Sequence, residues 1–246
     1  DTIEYAYVAG VDQNAAFTPE ATQTTGTSGT KPQSGFTFER QTTTVKTIAN
    51  WAAITKRALA DVGQVRAMID QFLRYGIEEE IDRQIVAGDG TGENLLGLDN
   101  ISGTQSLTAT GDDLQLIRRA KTRVRLGART NANAVLIHPE DREEIDLMQD
   151  GNMHYYMGGP VAAGGNTTMW GLPVVESEVL ERGTAWVGDF TKAVLYDRQQ
   201  ASIAVTDSHD NFFIRNLVAI LAETRVALAF LQPAAFVRVE LAGSGS

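Results

Sequence analysis

The 246-residue chain contains no cysteine. Disulfides, thiolate zinc sites and cysteine nucleophiles are therefore excluded, and any covalent fastening has to use other chemistry. There is no uninterrupted apolar run of the roughly 18 residues that a membrane span needs. The longest candidate, Leu217-Val218-Ala219-Ile220-Leu221-Ala222, is broken by Glu223 and Arg225, and no membrane contact is expected. Positive charge is scarce: 21 Lys and Arg stand against 31 Asp and Glu, for a net charge of −10. Gripping nucleic-acid phosphates takes clustered cations, so the chain is suited to stand near nucleic acid without binding it specifically. It begins at Asp1 with no initiator Met, basic leader or apolar signal segment, and reads as a processed or truncated product.

Several catalytic arrangements are missing as well. His138, His154 and His209 lack ligand-type spacing, so no metal is expected. No Gly-x-Ser-x-Gly elbow occurs. Gly88-Asp89-Gly90-Thr91-Gly92 is rich in glycine, but a phosphate loop needs a lysine where Glu93 stands; the segment reads as a helix terminator. No cofactor is implied. A conventional metabolic enzyme would require a pocket with convergent polar groups, which the sequence does not display.

What is present is an ordinary globular balance, enough for one large domain or two small ones. Ile3 to Val8 is β-prone and partly alternating, and residues 36 to 48 carry Phe36, Phe38, Val45 and Ile48 among threonines. The two read as arms of a long hairpin, joined by the tip Thr24-Thr25-Gly26-Thr27-Ser28-Gly29-Thr30-Lys31. A two-stranded ribbon is marginal in water, so the hairpin needs a neighbour to lie on. From Asp61 the pattern turns helical, with Val65, Met68, Ile69, Phe72, Ile77, Ile81 and Ile85 on one stripe up to Ala87, a helix of roughly 40 Å. Further on, helix 113–126 capped by Asp112, strand 134–137 and helix 139–149 opened by Pro139 are expected. A loop is expected at 153–166, followed by short strands at 170–175, 185–188 and 193–196. Long strands follow at 203–206, 212–230 and 235–240, then a flexible tail Gly243-Ser244-Gly245-Ser246.

Two charged helices have plain explanations. The run from Arg118 to Arg125 is the polar face of a helix whose apolar side holds Leu114, Ile117 and Val124, a solvated or subunit-contacting face. Glu140, Asp141, Glu143, Glu144 and Asp146 crowd a helix whose N-terminal dipole favours acids.

Lys31 is the only cation in the first 39 residues. Composition alone makes it a solvated surface lysine; its place on a Thr, Ser and Gly tip also lets it reach beyond its own domain. With Asn216 and Glu223 it forms the remaining constellation. In a strand from Phe213 to Ala227, a period of two puts Asn216 with Val218, Ile220 and Ala222, and Glu223 with Leu217 and Leu221. One strand cannot aim both at a common point. Acting together, they must come from different copies in a closely packed oligomer.

Lys31-Pro32, Val45-Lys46-Thr47-Ile48-Ala49, the stretch from Gly88 to Leu98, Met169-Trp170-Gly171-Leu172-Pro173-Val174-Val175 and Asp210-Asn211-Phe212, in this order and spacing, resemble the major capsid protein of tailed bacteriophages of the Hong Kong 97 type. The likeness runs over the whole chain. It implies an α+β capsid fold with an extended E-loop hairpin, a long spine helix, and peripheral and axial domains. Residues 1–50 would be the E-loop and return strand, 51–111 the peripheral domain with the spine helix, 112–200 the axial domain, 201–224 further peripheral strands, and 225–246 the C-terminal strands and tail.

The resemblance implies a structural protein of the virion, assembled in the host cytoplasm, whose partners are copies of itself in pentamers and hexamers. Those copies enclose phage DNA without specific binding. A portal, a maturation protease and decoration proteins are further implied partners, and an N-terminal arm and scaffolding segment normally precede such a chain. By the same resemblance Lys31 is the cross-linking lysine, Asn216 its partner and Glu223 the assisting acid of an autocatalytic isopeptide bond between subunits. The amine attack requires a neutral lysine, and because the residues around Lys31 are polar, a neighbouring subunit would have to supply the apolar wall. The alternative is an encapsulin-like compartment shell holding protein cargo; the long hairpin with its single lysine favours the phage shell.

Overall fold

Ile3, Tyr5 and Tyr7 alternate with polar or small residues, and Thr2–Asp12 forms strand β1. The threonine-rich segment Gly35–Thr44 pairs with it antiparallel as β2. The computed structural model describes residues 1–18, 20, 30–61, 63–108, 111–149, 152, 155 and 168–241. Among the described residues this ribbon shares no ladder with a third strand, and β2 is exposed on both faces along nearly its whole length. It is an arm.

The hairpin pattern predicts a return arm running to Ile48, but the structure ends it at Thr44. The Val45 amide donates to the carbonyl of Asp1 at 3.0 Å, and Lys46–Thr55 starts again as β3 in a different sheet. Burial of Ile48, Ala52 and Ile54 against another core draws the chain away from the arm. After a short helix α1 (Lys56–Asp61), the long helix α2 (Gly63–Ala87) runs as expected. Its buried stripe is Leu73 and Ile77, flanked by Ile69 and Ile81. Met68 and Phe72, expected on that stripe, face outward with Tyr75, because Leu73 takes the inward position and its neighbour is turned about 100° away.

α2 covers one face of a three-stranded antiparallel sheet in the order β3, β10, β9, where β9 is Ala193–Thr206 and β10 is Leu217–Phe230. Val218, Ile220 and Ala222 are buried on that face, and Ile203 joins them from β9. Two expected strands at 193–196 and 203–206 prove to be one, bulged near Arg225 where the register shifts. The Thr224 hydroxyl satisfies the interrupted ladder by donating to the Gln199 carbonyl at 2.9 Å. β10 also starts later than the predicted Phe212: residues 210–216 form turns closed by Asp210 and Asn216 in the left-handed region (φ 43° and 54°), which Asn and Asp tolerate best.

The second sheet is mixed and six-stranded: β4 (Gln105–Thr108), β11 (Phe236–Glu240), β8 (Thr184–Gly188), β5 (Ala134–Ile137), β7 (Leu172–Glu176) and β6 (Thr168–Met169), in that order. Helices α3 (Asp113–Gly127) and α4 (Pro139–Asp146) contribute Leu116, Ile117, Ala120, Val124 and Ile145 to its core. α4 is shorter than expected. β4 has no counterpart in the sequence reading, since Leu107 is its one buried residue. The strand expected at 170–175 is a hairpin turned at Trp170 and Gly171, both with positive φ (52° and 74°). Asp112 stands at the start of α3, but its carboxylate accepts from the Gln115 side chain instead of capping the backbone. Val86, Leu95, Leu98, Trp186, Phe230 and Phe236 fill a third core between the two sheets. The expected loop at 153–154 and 156–166, the tip at 24–29 and the tail at 243–246 lie outside the described residues.

Ile77 is 1% exposed beneath β10. Ile77→Ala should lower the unfolding free energy by about 2–5 kcal/mol in urea titration of the full chain; a loss below about 1 kcal/mol would show that α2 is not seated there.

Candidate functional site

Two weak anchors hold the arm's base. The Val8 amide donates to Leu231 O at 3.0 Å, and Arg225 pairs with Asp1 at 2.8 Å. Tyr5 lies partly buried against Phe230, and burial pushes its phenol up from the ordinary value. Beyond Val8 the ladder runs on to Asp12, about 13 Å at strand spacing, with Phe36 and Phe38 more than half exposed. Asn14 continues the clasp past the ladder, donating to Ser34 Oγ and Gln33 O at 3.1 Å each. Lys31 follows, exposed, at the far end.

Asn216 and Glu223 occupy different settings. Asn216 is an exposed turn residue whose carbonyl accepts from the Lys56 amide at 2.8 Å. Glu223 lies mid-strand between Ala49 and Ser202, half-buried on the face turned away from α2. Seven residues at strand spacing place the two roughly 20 Å apart in one chain. The arm's base adjoins the Phe230 end of β10, away from Asn216. No single copy therefore brings Lys31, Asn216 and Glu223 together; each is presented outward. Lys56 and the turn around Asn216 escaped the sequence reading because an isolated lysine at a strand-to-helix junction carries no pattern.

A polar cleft of about 410 Å³ sits at the arm's root, lined among others by Lys46, Asn50, Glu80, Gln84, Glu93 and Asn94. Its groups satisfy one another. Gln84 donates to Glu80 at 2.9 Å and Asn94 at 3.2 Å, and accepts from the Leu95 amide at 3.0 Å. Lys46 donates to the Gly92 carbonyl, and the Arg83 hydrogen bond holds the Glu80 carboxyl below its usual value. Such a cleft joins α2 to β3 and to the loop that follows the helix, and offers little to a substrate. The adjoining loop is folded on Asp89, which accepts from the Thr91 amide, the Thr91 hydroxyl and the Asn94 side chain at 3.0, 2.7 and 2.8 Å.

The other charged groups are structural. His138 caps α4 by accepting from the Glu140 amide at 3.2 Å, and His209 stacks edge-on against Trp51 at 5.6 Å; His154 lies outside the described residues. Among the described residues no group of three His, Cys, Asp or Glu could hold a metal, and no helix is long and apolar enough to cross a membrane. Arg182 bridges Glu140 and Glu144 at 2.8 and 2.7 Å. Lys121 donates to the Trp170 carbonyl at 2.7 Å.

Residues 2–241 match the model of the phage capsid family. The chain is 36% identical over 212 residues to the major capsid protein of Enterobacteria phage HK97, covering 85% of this chain and 54% of that protein. It therefore spans about half the length of that relative. Among solved structures, a chain of Mycobacterium phage Adephagia superposes with a TM-score of 0.74 at 13% identity, covering 100% of this chain and 86% of that one. One of Gordonia phage Cozz gives 0.73 at 15% identity, covering 99% and 82%. The capsid of an empty GTA particle computed with C5 symmetry gives 0.70 at 16% identity, covering 98% and 85%. These likenesses show a shared fold, as the block resemblance implied.

Its three hydrogen bonds hold the Asp89 carboxyl at about 2 instead of 3.8, led by the Thr91 amide. A depressed carboxylate stabilises the folded loop above its unfolded value and ceases to as pH falls through its folded value. Hydrogen-exchange protection at the Thr91 amide, which donates to that carboxylate, should thus survive at about pH 4 and fail as pH approaches about 2. Asp89→Ala should remove it at neutral pH, and unchanged exchange in that variant would disprove the carboxylate's role.

Proposed function

Because this chain belongs to the phage capsid family, we propose that it is a shell subunit, many copies of which form pentamers and hexamers of an icosahedral head around double-stranded DNA. The observation that carries this reading is the arm: a two-stranded ribbon with Phe36 and Phe38 uncovered on a strand its own chain leaves exposed on both faces. Such a ribbon is marginal alone and gains its ordering from a neighbouring copy. The arm then acts as the E-loop and α2 as the spine helix. A net charge of −10 suits a wall that encloses DNA without gripping it.

The same reading includes covalent cross-linking. Lys31 Nζ of one copy, neutral, attacks the side-chain amide carbon of Asn216 in a second. Glu223 of a third accepts the amine proton and returns it to the departing nitrogen. One C–N bond forms, one breaks, and ammonia leaves. An amide is a poor electrophile, so docking supplies much of the rate by proximity. The roughly 20 Å between Asn216 and Glu223 within a chain supports three contributors. A protein-filled compartment of the same fold is the second reading, with the projecting arm and its lone lysine favouring the phage head.

Purified wild-type particles boiled in denaturant should run as a ladder on a gel, and Lys31→Arg or Glu223→Ala should collapse it to one band. Asn216→Gly should do the same while keeping the left-handed turn, since glycine adopts that conformation freely. Monomer alone from intact wild-type particles would defeat the cross-link, and packaged protein in place of DNA would defeat the phage head.

A further inference from the structure

Charge is sorted along the segment that builds the six-stranded sheet. Between Asp113 and Glu140 the sequence has no acid and six cations, Arg118, Arg119, Lys121, Arg123, Arg125 and Arg129, whereas from Thr130 to Glu181 its only Lys or Arg is Arg142. All six cations but the half-buried Lys121 are exposed. Three turn their heads to oxygens of their own chain: Arg118 to Thr122 Oγ1 at 2.8 Å, Lys121 to Trp170 O at 2.7 Å, and Arg123 to Ser106 O. Among the described residues none of the six forms a salt bridge, on a chain of net charge −10. A complementary face lies at the other end of the same sheet. Strands β4, β11, β5 and β7 run in one direction. The basic helix ends where they start, since Gln105, the first residue of β4, donates to Arg123 O at 3.4 Å. The acids gather where they finish: Glu176, the last residue of β7, is level with Ile137 of β5, and α4 begins just beyond. There Glu140, Glu143, Glu144, Glu176, Glu178 and Glu181 are all exposed. Arg182 holds Glu140 and Glu144; the other four make no salt bridge among the described residues. Each face also shows apolar surface, Leu126 at 75% exposure beside Arg125, and Leu147 at 57% and Val175 at 50% beside the acids.

We propose that the basic face of α3 on one copy docks on the acidic face formed by α4 and the loop after β7 on the next copy, so that the charge segregation of this sheet sets the head-to-tail order of a ring. The inference rests on the ring-forming subunit proposed above. A ring of five or six copies closes through a heterologous contact, in which one face of each copy meets a different face of the next. A sheet that is basic at one end and acidic at the other has such a pair of faces ready. Like faces repel, so the same charges exclude head-to-head and tail-to-tail pairing. The apolar side chains favour a second copy over nucleic acid as the occupant. Leu126 within the basic face gains nothing from a phosphate backbone, but finds cover against Leu147 or Val175 of the next copy.

Two full-length variants test this by sedimentation and native gels. The first carries Arg118→Glu, Arg119→Glu, Arg125→Glu and Arg129→Glu and so has two acidic faces; the second carries Glu143→Lys, Glu176→Lys, Glu178→Lys and Glu181→Lys and has two basic ones. Each alone should yield about tenfold fewer pentamers and hexamers than wild type at about 0.1 M salt, where exposed charges still act over about 10 Å. Expressed together they should alternate around a ring, which closes only with an even number of copies: hexamers return and pentamers do not. All eight changes in one chain exchange the faces and should restore both. If a reversed chain does not fold, as judged by its melting transition, the same positions changed to Gln carry the readout, since rings of those chains should lose the salt sensitivity of the wild type. Reversed chains that assemble like wild type, or a mixture that recovers no hexamers, would overturn the inference. Normal rings whose particles retain less DNA would assign the basic face to nucleic acid and overturn it as well. Wild-type chains that form no ring at any salt refute the shell subunit itself before any variant is compared, and this inference with it.

Discussion

Val218, Ile220 and Ala222 have to leave water, and α2 is what covers them. Leu73 and Ile77 press on the middle of β10 from one side, which fixes the register of β3 and β9 on either flank, because a slip of one residue would turn the apolar set into solvent. The same constraint sends Leu217, Leu221 and Glu223 to the opposite face. It also carries β10 on to Phe230, where the chain meets the third core and the base of the arm. The helix, the sheet and the outward aspect of Glu223 are consequences of one buried face.

The arm follows a different logic. Its strands are threonine-rich and exposed, so it buries little of its own and is tied to the body through a few hydrogen bonds, one ion pair and Tyr5. The body beneath is by contrast densely bonded: Gln84, Asn94 and Asp89 knit α2 to the loop that supports the arm's root. A firm mount beneath a thin lever suits a tile that overlaps its neighbours. A chain without cysteine has no disulfide to lock that overlap, so any covalent fastening must use other chemistry.

On the proposed reading, separation is what keeps that chemistry quiet until assembly. Asn216 stands in the turn before β10 and Glu223 midway along it, and the lysine is on an arm rooted at the strand's other end. Reaction then waits on three copies meeting.

Much was legible in the residues. Partial alternation revealed the arm, a long apolar run revealed β10, a stripe at helical spacing revealed α2, and Pro139 with the acids behind it revealed the start of α4, because these signals are local patterns that the sequence spells out. The family, too, was readable, from blocks in order. The tertiary structure decided what depends on competition between distant segments. It turned Val45 away from the arm because Ile48 had a core to join, moved the start of β10 past a left-handed Asn216, turned Met68 and Phe72 outward beside an inward Leu73, and brought Lys56 under Phe213. Local pattern determined which segments are helix or strand; which face each buries, and so which side chains stand beside Asn216, was settled only when the cores closed, since burial is a property of the partners a segment finds.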